Sequence, residues 1–455
     1  MFGSIQRAAT AASLLLGLIG STQASTSYCY NGLKPSYVPP VIAPGYAAQL
    51  VVSGLIKPRG MVFDSTGALL VVQAGAGIIR IEFHKPGEDE SRNCLEGLGS
   101  MTQVTNLVEN KNLNHGIELS SDGKTLYASS NVEVFRWAYD PAAATATDQQ
   151  TVIANMSSAG HITRTLLFSR KHPDILFVSQ GSSANLDPKA LDPSSGISQI
   201  RAFNMTSLTP GQVYSYPSDG VRLGWGLRNS VGVAEHPATG AIYSVENSAD
   251  QIHRGGADIH QDNPGEELND HGVFDPAALF AATPENQGPN HGYPHCLSLW
   301  STDIPDVGSM TVGSRFVYDD MKGLGGDDAT CGRDYVPPRL TFAAHTAPLD
   351  IKFTTAGDAA YVSFHGSWNR DRPAGYHLAV VSWNATSGEP IEPTDSTTAA
   401  VDVLTNIDNS VCPNACFRPA GLAIDGEGRV FMTSDSTGEV YVVQRVATGL
   451  WRGVD

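Results

Sequence analysis

The stretch FRPAGLAIDGEGRVFM, at residues 417–432, indicates how the chain folds. A short apolar strand, a Gly-rich turn and a second strand follow one another, which is typical of a β-hairpin. The chain repeats this pattern five more times, at residues 57–72, 114–127, 164–178, 231–244 and 348–362. The six copies recur at intervals of roughly 50–70 residues, with one longer gap between the fourth and the fifth.

A single hairpin cannot bury its apolar face, so repeated small sheets must pack on one another around an axis. The sequence therefore predicts an all-β fold, a six-bladed β-propeller. A large β-sandwich is the rival architecture, and the sixfold self-similarity disfavours it. Residues 46–52 form a predicted strand ahead of the first copy, where a propeller uses such a strand to complete its last blade. The region from 249 to 347, rich in Asp, Asn, His, Gly and Pro, is predicted to be a long irregular insertion.

The charge of the chain and its N-terminal segment limit the kinds of partner that the protein is expected to have. The 455-residue chain has a net charge of −17, which argues against a nucleic-acid partner. The N-terminus has one arginine, an apolar run from residue 8 to 19 and small residues ending at Ala24. This predicts a secretory signal peptide over residues 1–24, followed by one propeller domain over 25–455 and no membrane partner.

Secretion gives meaning to the six cysteines, whose even number predicts three disulfides in an oxidising compartment. Cys412 and Cys416 are close enough in sequence to close a tight loop. Pairing of Cys296 with Cys331, and of Cys29 with Cys94, is plausible but is not deducible from spacing. Zinc binding is the weaker alternative, because no CxxC pair occurs. Sequons at Asn155, Asn204 and Asn384 agree with a secreted glycoprotein.

The six copies share a chemical feature. A cationic or imidazole side chain stands at the start of the first strand of every copy, namely Arg59, His115, His161 with Arg164, Arg228, His345 and Arg418. Taken singly, each is more often a surface or structural residue. Because the first strand of a propeller blade lines the central channel, all six are predicted to converge at one mouth. Such a ring favours an anionic ligand with several carboxylates or phosphates.

Two further features bear on chemistry. His115, His161 and His345 are candidate general bases, because imidazole titrates near neutral pH. The acidic side chains of the insertion could hold Ca²⁺ in a loop, and a solvated loop is an equally good interpretation; they are Asp258, Asp262, Glu266, Glu267, Asp270 and Asp275.

Several short motifs carry a family resemblance. They are GHITR at 160–164, LRN at 227–229, VENS at 245–248, NHGYP at 290–294, FHGSWNR at 364–370 and FRP at 417–419. Spread over about residues 45–445, they resemble the soluble quinoprotein sugar dehydrogenases, which bind pyrroloquinoline quinone (PQQ). Within that family the chain is most similar to the fungal pyranose dehydrogenases and the related sorbosone dehydrogenases. The motif HGSWNR is the most specific.

The resemblance implies an enzyme that uses PQQ and Ca²⁺ to oxidise the C1 hydroxyl of an aldose to a lactone. Its electrons would pass to an external acceptor, such as a cytochrome, a copper oxygenase or a quinone. By position, His161 matches the catalytic base and Arg228 a catalytic, quinone-contacting residue. The backbone carbonyls of Ser248 and Ala249 match the calcium ligands. The cofactor-binding positions implied, or expected at the same pocket, are Arg59, His115, Arg164, Arg228, Asn229, His345, His365, Trp368, Asn369, Arg372 and Arg418.

The chain also departs from the bacterial pattern. Those enzymes have Gly-Pro where this chain has Ser248 and Ala249, and a lysine that is replaced here within residues 368–372. Two other functions stay open. A six-bladed Ca²⁺-dependent lactonase would need an axial metal held by Glu and Asn, and a non-catalytic extracellular propeller would have an unpatterned channel mouth.

Overall fold

Six mainly antiparallel sheets of four or more strands surround a central axis in a computed structural model of the chain. The structure describes residues 28–29, 33–84, 95, 100–157 and 159–446. The first strand of each sheet is innermost and contacts the first strands of the neighbouring sheets. The prediction of a six-bladed β-propeller is confirmed.

The blades follow the repeats. From the innermost strand outward, they consist of Pro58–Phe63, Leu69–Gln73, Gly77–Phe83 and Met101–Glu109 (blade 1); Leu113–Leu119, Thr125–Ser130, Val134–Asp140, Thr145–Ala154 and Tyr214–Ser215 (blade 2); Leu166–Phe168, Ile175–Gln180, Gln199–Asn204 and Val221–Trp225 (blade 3). The others consist of Ser230–Glu235, Ala241–Glu246, Glu266–Val273 and Leu340–Phe342 (blade 4); Pro348–Phe353, Ala359–Phe364, His377–Asn384, Val401–Thr405 and Val41–Ile42 (blade 5); Pro419–Ile424, Val430–Ser434, Glu439–Arg445, Tyr46–Val52 and Tyr28–Cys29 (blade 6).

The ring is closed by the strand that precedes the first repeat. Tyr46–Val52 pairs antiparallel with Glu439–Arg445, so two distant parts of the chain share blade 6. Val41–Ile42 similarly extends the outer edge of blade 5 by pairing with Val401–Thr405. The predicted closing strand is therefore confirmed, and it fixes the order of the blades around the axis.

Apolar side chains pack between adjacent blades. Between blades 4 and 5, for example, Tyr243 and Trp383 meet edge to face with ring centroids 5.6 Å apart. Phe342 and Phe364 do the same at 5.2 Å. Such pairs add to the burial of apolar area, so the blades form a rigid support for loops at either end of the channel.

The insertion is more regular than its composition predicts. It supplies two strands of blade 4, Glu266–Val273 and Leu340–Phe342, and the prediction of an irregular segment was wrong there. The first of these strands has buried acidic residues, which hydrophobic patterning does not detect. Glu267 forms an ion pair with Arg315, and Glu266 accepts hydrogen bonds from the main-chain amides of Ser248 and Ala347.

Short elements fill the rest of the insertion and the loops. The insertion adds the hairpins His253–Arg254 with Ala257–Asp258 and Leu297–Ser298 with Arg315–Phe316. In blade 5, Glu389–Pro390 pairs with His377–Asn384. The α-helices are Tyr216–Asp219, Pro276–Ala281 and Asp328–Asp334, and the 3₁₀ segments are Pro188–Leu191, Pro193–Ser195, Met205–Ser207, Pro284–Asn286, Asp319–Leu324 and Asn409–Val411.

Two of the disulfides considered from the sequence are present, Cys296–Cys331 and Cys412–Cys416. Cys94 and the predicted signal peptide over residues 1–24 lie outside the described residues. Among the described residues, the helices are all too short or too polar to span a bilayer.

The ion pair between Glu267 and Arg315 gives a stability prediction. Both side chains are at most 3% exposed, so Arg315→Ala would leave a buried carboxylate without its cation. We expect the free energy of unfolding to fall by about 3–5 kcal/mol, measured by urea unfolding followed through tryptophan fluorescence. Arg333→Ala is the matched control: Arg333 pairs with Asp334 at the surface, and its loss should leave the free energy of unfolding close to that of the wild type. Equal stabilities of the two variants would contradict this account.

Candidate active site

The residues predicted to ring the channel lie at one mouth, because the first strand of every blade begins at that end. The second strand of each blade runs antiparallel to the first and therefore ends at the same mouth. Loops that leave the second strands thus meet the side chains that enter the first strands. The structure brings most of the predicted residues into two clusters, each built around one carboxylate.

The first cluster surrounds Asp435, which directly follows the second strand of blade 6. Its Oδ2 accepts a hydrogen bond from Nη1 of Arg59 at 2.5 Å, and its Oδ1 lies 2.8 Å from Nε2 of His365. Nε of Arg59 lies 3.4 Å from Nδ1 of His115. Arg418 joins through Nε, which donates to the carbonyl oxygen of His365 at 3.1 Å.

Electrostatics in this cluster favour one charged acid among neutral imidazoles. Burial disfavours ionisation of Asp435, but His365 and Arg59 outweigh it and hold the pKa of the carboxyl well below its usual range. Burial, with Arg59 second, lowers the pKa of His115 well below its ordinary value. Burial also lowers the pKa of His365. Asp435 is therefore ionised and both histidines are neutral near pH 7.

The second cluster surrounds Asp250, in the loop after the second strand of blade 4. Its Oδ2 accepts from Nη2 of Arg228 at 2.9 Å, and its Oδ1 accepts from Nδ2 of Asn369 at 2.9 Å. Nδ1 of His345 lies 3.5 Å from the same Oδ1. Burial alone would lower the pKa of His345, but the Asp250 carboxylate and Glu266 outweigh it, so this pKa is raised. His345 thus differs from the other two imidazoles in favouring the cationic form.

His161 stands beside the second cluster. Its Nδ1 lies 3.0 Å from the carbonyl oxygen and 2.9 Å from Oγ of Ser182, which fixes the ring on one side. Gly181 allows this arrangement: a Cβ there would lie only 2.6 Å from Oδ1 of Asn229 and 2.7 Å from Cβ of His161. Burial, followed by the charge of Arg228, lowers the pKa of His161 to about 4. The imidazole is therefore neutral over most of the pH range, as a general base has to be.

Besides His161, four predicted positions lie outside these clusters. Asn229 donates from Nδ2 to Oδ1 of Asn247 at 3.2 Å. Arg164 is fully buried, and its guanidinium donates to the carbonyl oxygens of His161, Thr163 and Ser157, so it braces the loop that presents His161. Trp368 is 68% exposed and Arg372 is also exposed. A role in cofactor binding stays a prediction for these residues, as it does for those in the two clusters.

Two calcium sites were predicted, one at the acidic side chains of the insertion and one at the backbone carbonyls of Ser248 and Ala249. Within the described residues, no group of three or more His, Cys, Asp or Glu side chains is arranged to hold a metal ion. The acidic residues of the insertion are dispersed, with Glu266 and Glu267 buried in a strand and Asp275 capping a helix, so the loop-site interpretation was wrong. Ser248 and Ala249 are buried directly before Asp250, and in the described part of the chain neither carbonyl accepts a backbone hydrogen bond.

Sequence reasoning missed both carboxylates, Asp250 and Asp435. The repeat alignment followed the first strand of each copy and did not extend past the second strand. Asp435 follows its second strand immediately, and Asp250 follows its own after three residues. Extending the comparison of the repeats past the end of each second strand would therefore have found both carboxylates.

A cavity of about 460 Å³ opens at the other end of the channel, where the first strands end. Its lining includes Glu118, Arg170 and Lys352 among apolar side chains, and it contains none of the predicted site residues. The histidine and arginine clusters lie at the first mouth, at the opposite end of the channel from this cavity.

Comparisons with known proteins identify the family of the chain. The family model described as TrAA12-like matches residues 40–446. A pyrroloquinoline quinone-dependent sugar dehydrogenase of Hypocrea jecorina is 45% identical over 95% of this chain and 96% of its own length. A pyrroloquinoline quinone-dependent pyranose dehydrogenase of Coprinopsis cinerea is 35% identical over 92% of this chain, which spans 56% of that protein.

Solved structures give the same result. The calcium structure of Trichoderma reesei Carbohydrate-Active Enzymes Family AA12 matches with a TM-score of 0.84 at 45% identity, covering 92% of this chain and all of that one. The holo form of the pyranose dehydrogenase PQQ domain from Coprinopsis cinerea matches with a TM-score of 0.82 at 34% identity, covering 92% of this chain and all of that one. The resemblance found in the sequence motifs is confirmed, and the chain belongs to the TrAA12-like family.

Proposed function

We propose that the protein is a PQQ- and Ca²⁺-dependent oxidoreductase that oxidises the C1 hydroxyl of pyranose sugars to lactones. Electrons then pass to an external acceptor, for which a cytochrome, a copper oxygenase and a quinone are the candidates. The observation that carries the proposal is the convergence of arginine and histidine side chains from different blades on one mouth, beside a neutral His161. The 45% identity to a PQQ-dependent sugar dehydrogenase supports the same activity.

The donor chemistry of the mouth suits a tricarboxylate quinone. Arg59, Arg228 and Arg418 offer planar guanidinium groups, which match carboxylates better than point charges do. Each already has a defined position, because Asp435, Asp250 and the carbonyl oxygen of His365 accept hydrogen bonds from them. Asn229 offers a neutral amide beside His161. We therefore propose that these residues hold PQQ, with His115, His345, His365 and Asn369 completing the pocket.

Ca²⁺ binding is proposed at the carbonyl oxygens of Ser248 and Ala249. Calcium takes six to eight oxygen ligands and accepts backbone carbonyls readily. The two carbonyls adjoin Asp250, whose carboxylate is ionised because the cations around it outweigh the effect of burial on its pKa. The site thus supplies oxygens and negative charge without the cluster of acidic side chains found in loop-type calcium sites.

PQQ supplies an o-quinone that accepts a hydride, and Ca²⁺ polarises it. The protein's own contribution begins with His161, which takes the proton of the sugar's C1 hydroxyl on its free imidazole nitrogen. Ser182 holds Nδ1, so Nε2 is the atom that accepts this proton. Arg228 lies close enough to lower the pKa of His161, and it would orient the polar groups of the site. The open mouth leaves several aldoses as candidate substrates.

We also propose that the protein is secreted after removal of residues 1–24. The two disulfides, Cys296–Cys331 and Cys412–Cys416, suit an oxidising compartment. Asn155 and Asn384 of the sequons are exposed and accessible to glycosylation. The remaining sequon residue, Asn204, is half-buried and is therefore the least accessible of the three.

Cofactor titration tests the proposal. The protein purified without cofactor and loaded with Ca²⁺ should bind PQQ below micromolar concentration and then reduce a dye when an aldose is added. His161→Ala should lower turnover by about 10²–10⁴-fold, the contribution of a general base, while PQQ affinity stays within a few fold. His253→Ala, which removes an exposed histidine in the insertion, should leave both unchanged. If wild-type protein fails to bind micromolar PQQ, the proposal is wrong.

The pKa of His161 gives a second prediction. Because burial holds this pKa near 4, the imidazole stays neutral, and able to accept a proton, as the pH falls through 6.5. The acid limb of kcat/KM should therefore lie close to pH 4 rather than near the ordinary histidine value. A pH–rate profile with saturating PQQ and Ca²⁺ measures this, and an acid limb at pH 6–7 that depends on His161 would contradict the assigned environment.

A further inference from the structure

Asp250 occupies an unusual place in a site suited to anions. Its carboxylate accepts from Arg228 through one oxygen and from Asn369 through the other, and His345 lies 3.5 Å away. A carboxylate at this position repels an anionic ligand and lowers its affinity. We therefore expect Asp250 to have a second role, in the geometry of the site, that offsets its unfavourable effect on ligand affinity.

The main chain around Asp250 is fixed as well. Oδ1 of Asn185 accepts from the amide of Asp250 at 2.8 Å, and Nδ2 of Asn185 donates to the carbonyl oxygen of Asp250 at 2.7 Å. The same Asn185 side chain accepts from Nη2 of Arg228 at 2.9 Å. The carboxylate is consequently a defined point with 19% of its side chain exposed, and it is not a mobile surface acid.

The partners of Asp250 come from separate parts of the ring. Arg228 precedes the first strand of blade 4, His345 precedes the first strand of blade 5, and Asn369 follows the second strand of blade 5. A single carboxylate thus ties together the mouth loops of two adjacent blades. Two of its oxygen–nitrogen distances are 2.9 Å, typical of charge-assisted hydrogen bonds.

We propose that Asp250 is a positioning residue, which holds Arg228, His345 and Asn369 in the arrangement that turnover requires and lowers cofactor affinity in doing so. The claims about turnover and cofactor affinity rest on the proposed function. The claim that Asp250 fixes the positions of Arg228, His345 and Asn369 concerns the protein without cofactor and does not rest on it. The proposal predicts that removing the charge of Asp250 lowers turnover without weakening PQQ affinity.

Asp250→Asn is the informative substitution. An asparagine has one acceptor oxygen, so it can serve either Arg228 or the pair of Asn369 and His345, but not both sides. With Ca²⁺ held at saturation, so that loss of the charge beside the proposed calcium ligands does not empty that site, we expect PQQ affinity to stay equal or to tighten by up to about tenfold, while kcat falls by about 10–100-fold because the catalytic groups are misplaced. The dissociation constant from PQQ titration, kcat and the melting temperature are measured together.

Asp262→Asn is the matched control. Asp262 is an exposed carboxylate that pairs with Arg370 at 2.8 Å beside the same mouth and does not contact Arg228. Its affinity, kcat and melting temperature should equal those of the wild type. If Asp250→Asn leaves kcat unchanged, or if it weakens affinity and kcat together with a large fall in melting temperature, the positioning role is overturned.

A crystal structure of Asp250→Ala without cofactor tests the proposal independently of activity. The guanidinium of Arg228 and the amide of Asn369 should leave their present positions. Side chains unchanged from the wild type would overturn the positioning role even if PQQ binds. Conversely, displaced side chains in a protein that binds no PQQ would support the structural role of Asp250 and contradict the proposed function alone.

Discussion

The site depends on the closure of the ring. Tyr46–Val52 pairs with Glu439–Arg445, and without this pairing blade 6 would lack its outer strands and the last blade would not be fixed against the first. Closure sets where Arg59 meets Asp435, since these residues are separated by almost the whole chain. A strand pairing far from the mouth therefore determines which charges face each other inside it. The apolar packing between blades makes that geometry stiff.

Two arginines at the mouth of the channel are paired with carboxylates, and this pairing is the second feature on which the site depends. A ring of uncompensated cations would repel itself in the protein without ligand. Asp435 and Asp250 each pair with one arginine and approach one histidine, which reduces this repulsion. The two carboxylates have different consequences for their histidines: His345 gains proton affinity, whereas burial keeps His365 below its ordinary pKa. The mouth thus contains both cationic guanidinium groups and neutral imidazoles.

The fold and the cations of the site were predictable from the sequence, because repetition makes a pattern visible within a single chain. Six hairpins at comparable positions implied the propeller, and their equivalent first residues implied the ring. Asp250 and Asp435 escaped prediction because each acts only through residues distant in sequence. The strand Glu266–Val273 escaped because its glutamates are buried against partners, Arg315 among them, that sequence patterning cannot supply. Arg164 was predicted as a cofactor-binding residue because it stands at an equivalent position of its repeat. In the structure its guanidinium donates to main-chain carbonyl oxygens and braces a loop. The sequence shows where an arginine stands but not which groups its guanidinium contacts.

The most direct test of the central claim is the location of the cofactor. A crystal structure of the protein soaked with PQQ and CaCl₂ should show the quinone at the mouth that holds His161, in contact with Arg228 and Arg418, and a calcium ion on the carbonyl oxygens of Ser248 and Ala249. Quinone density in the cavity at the opposite end, beside Lys352 and Glu118, would contradict the account. So would a mouth that stays free of quinone at saturating concentration.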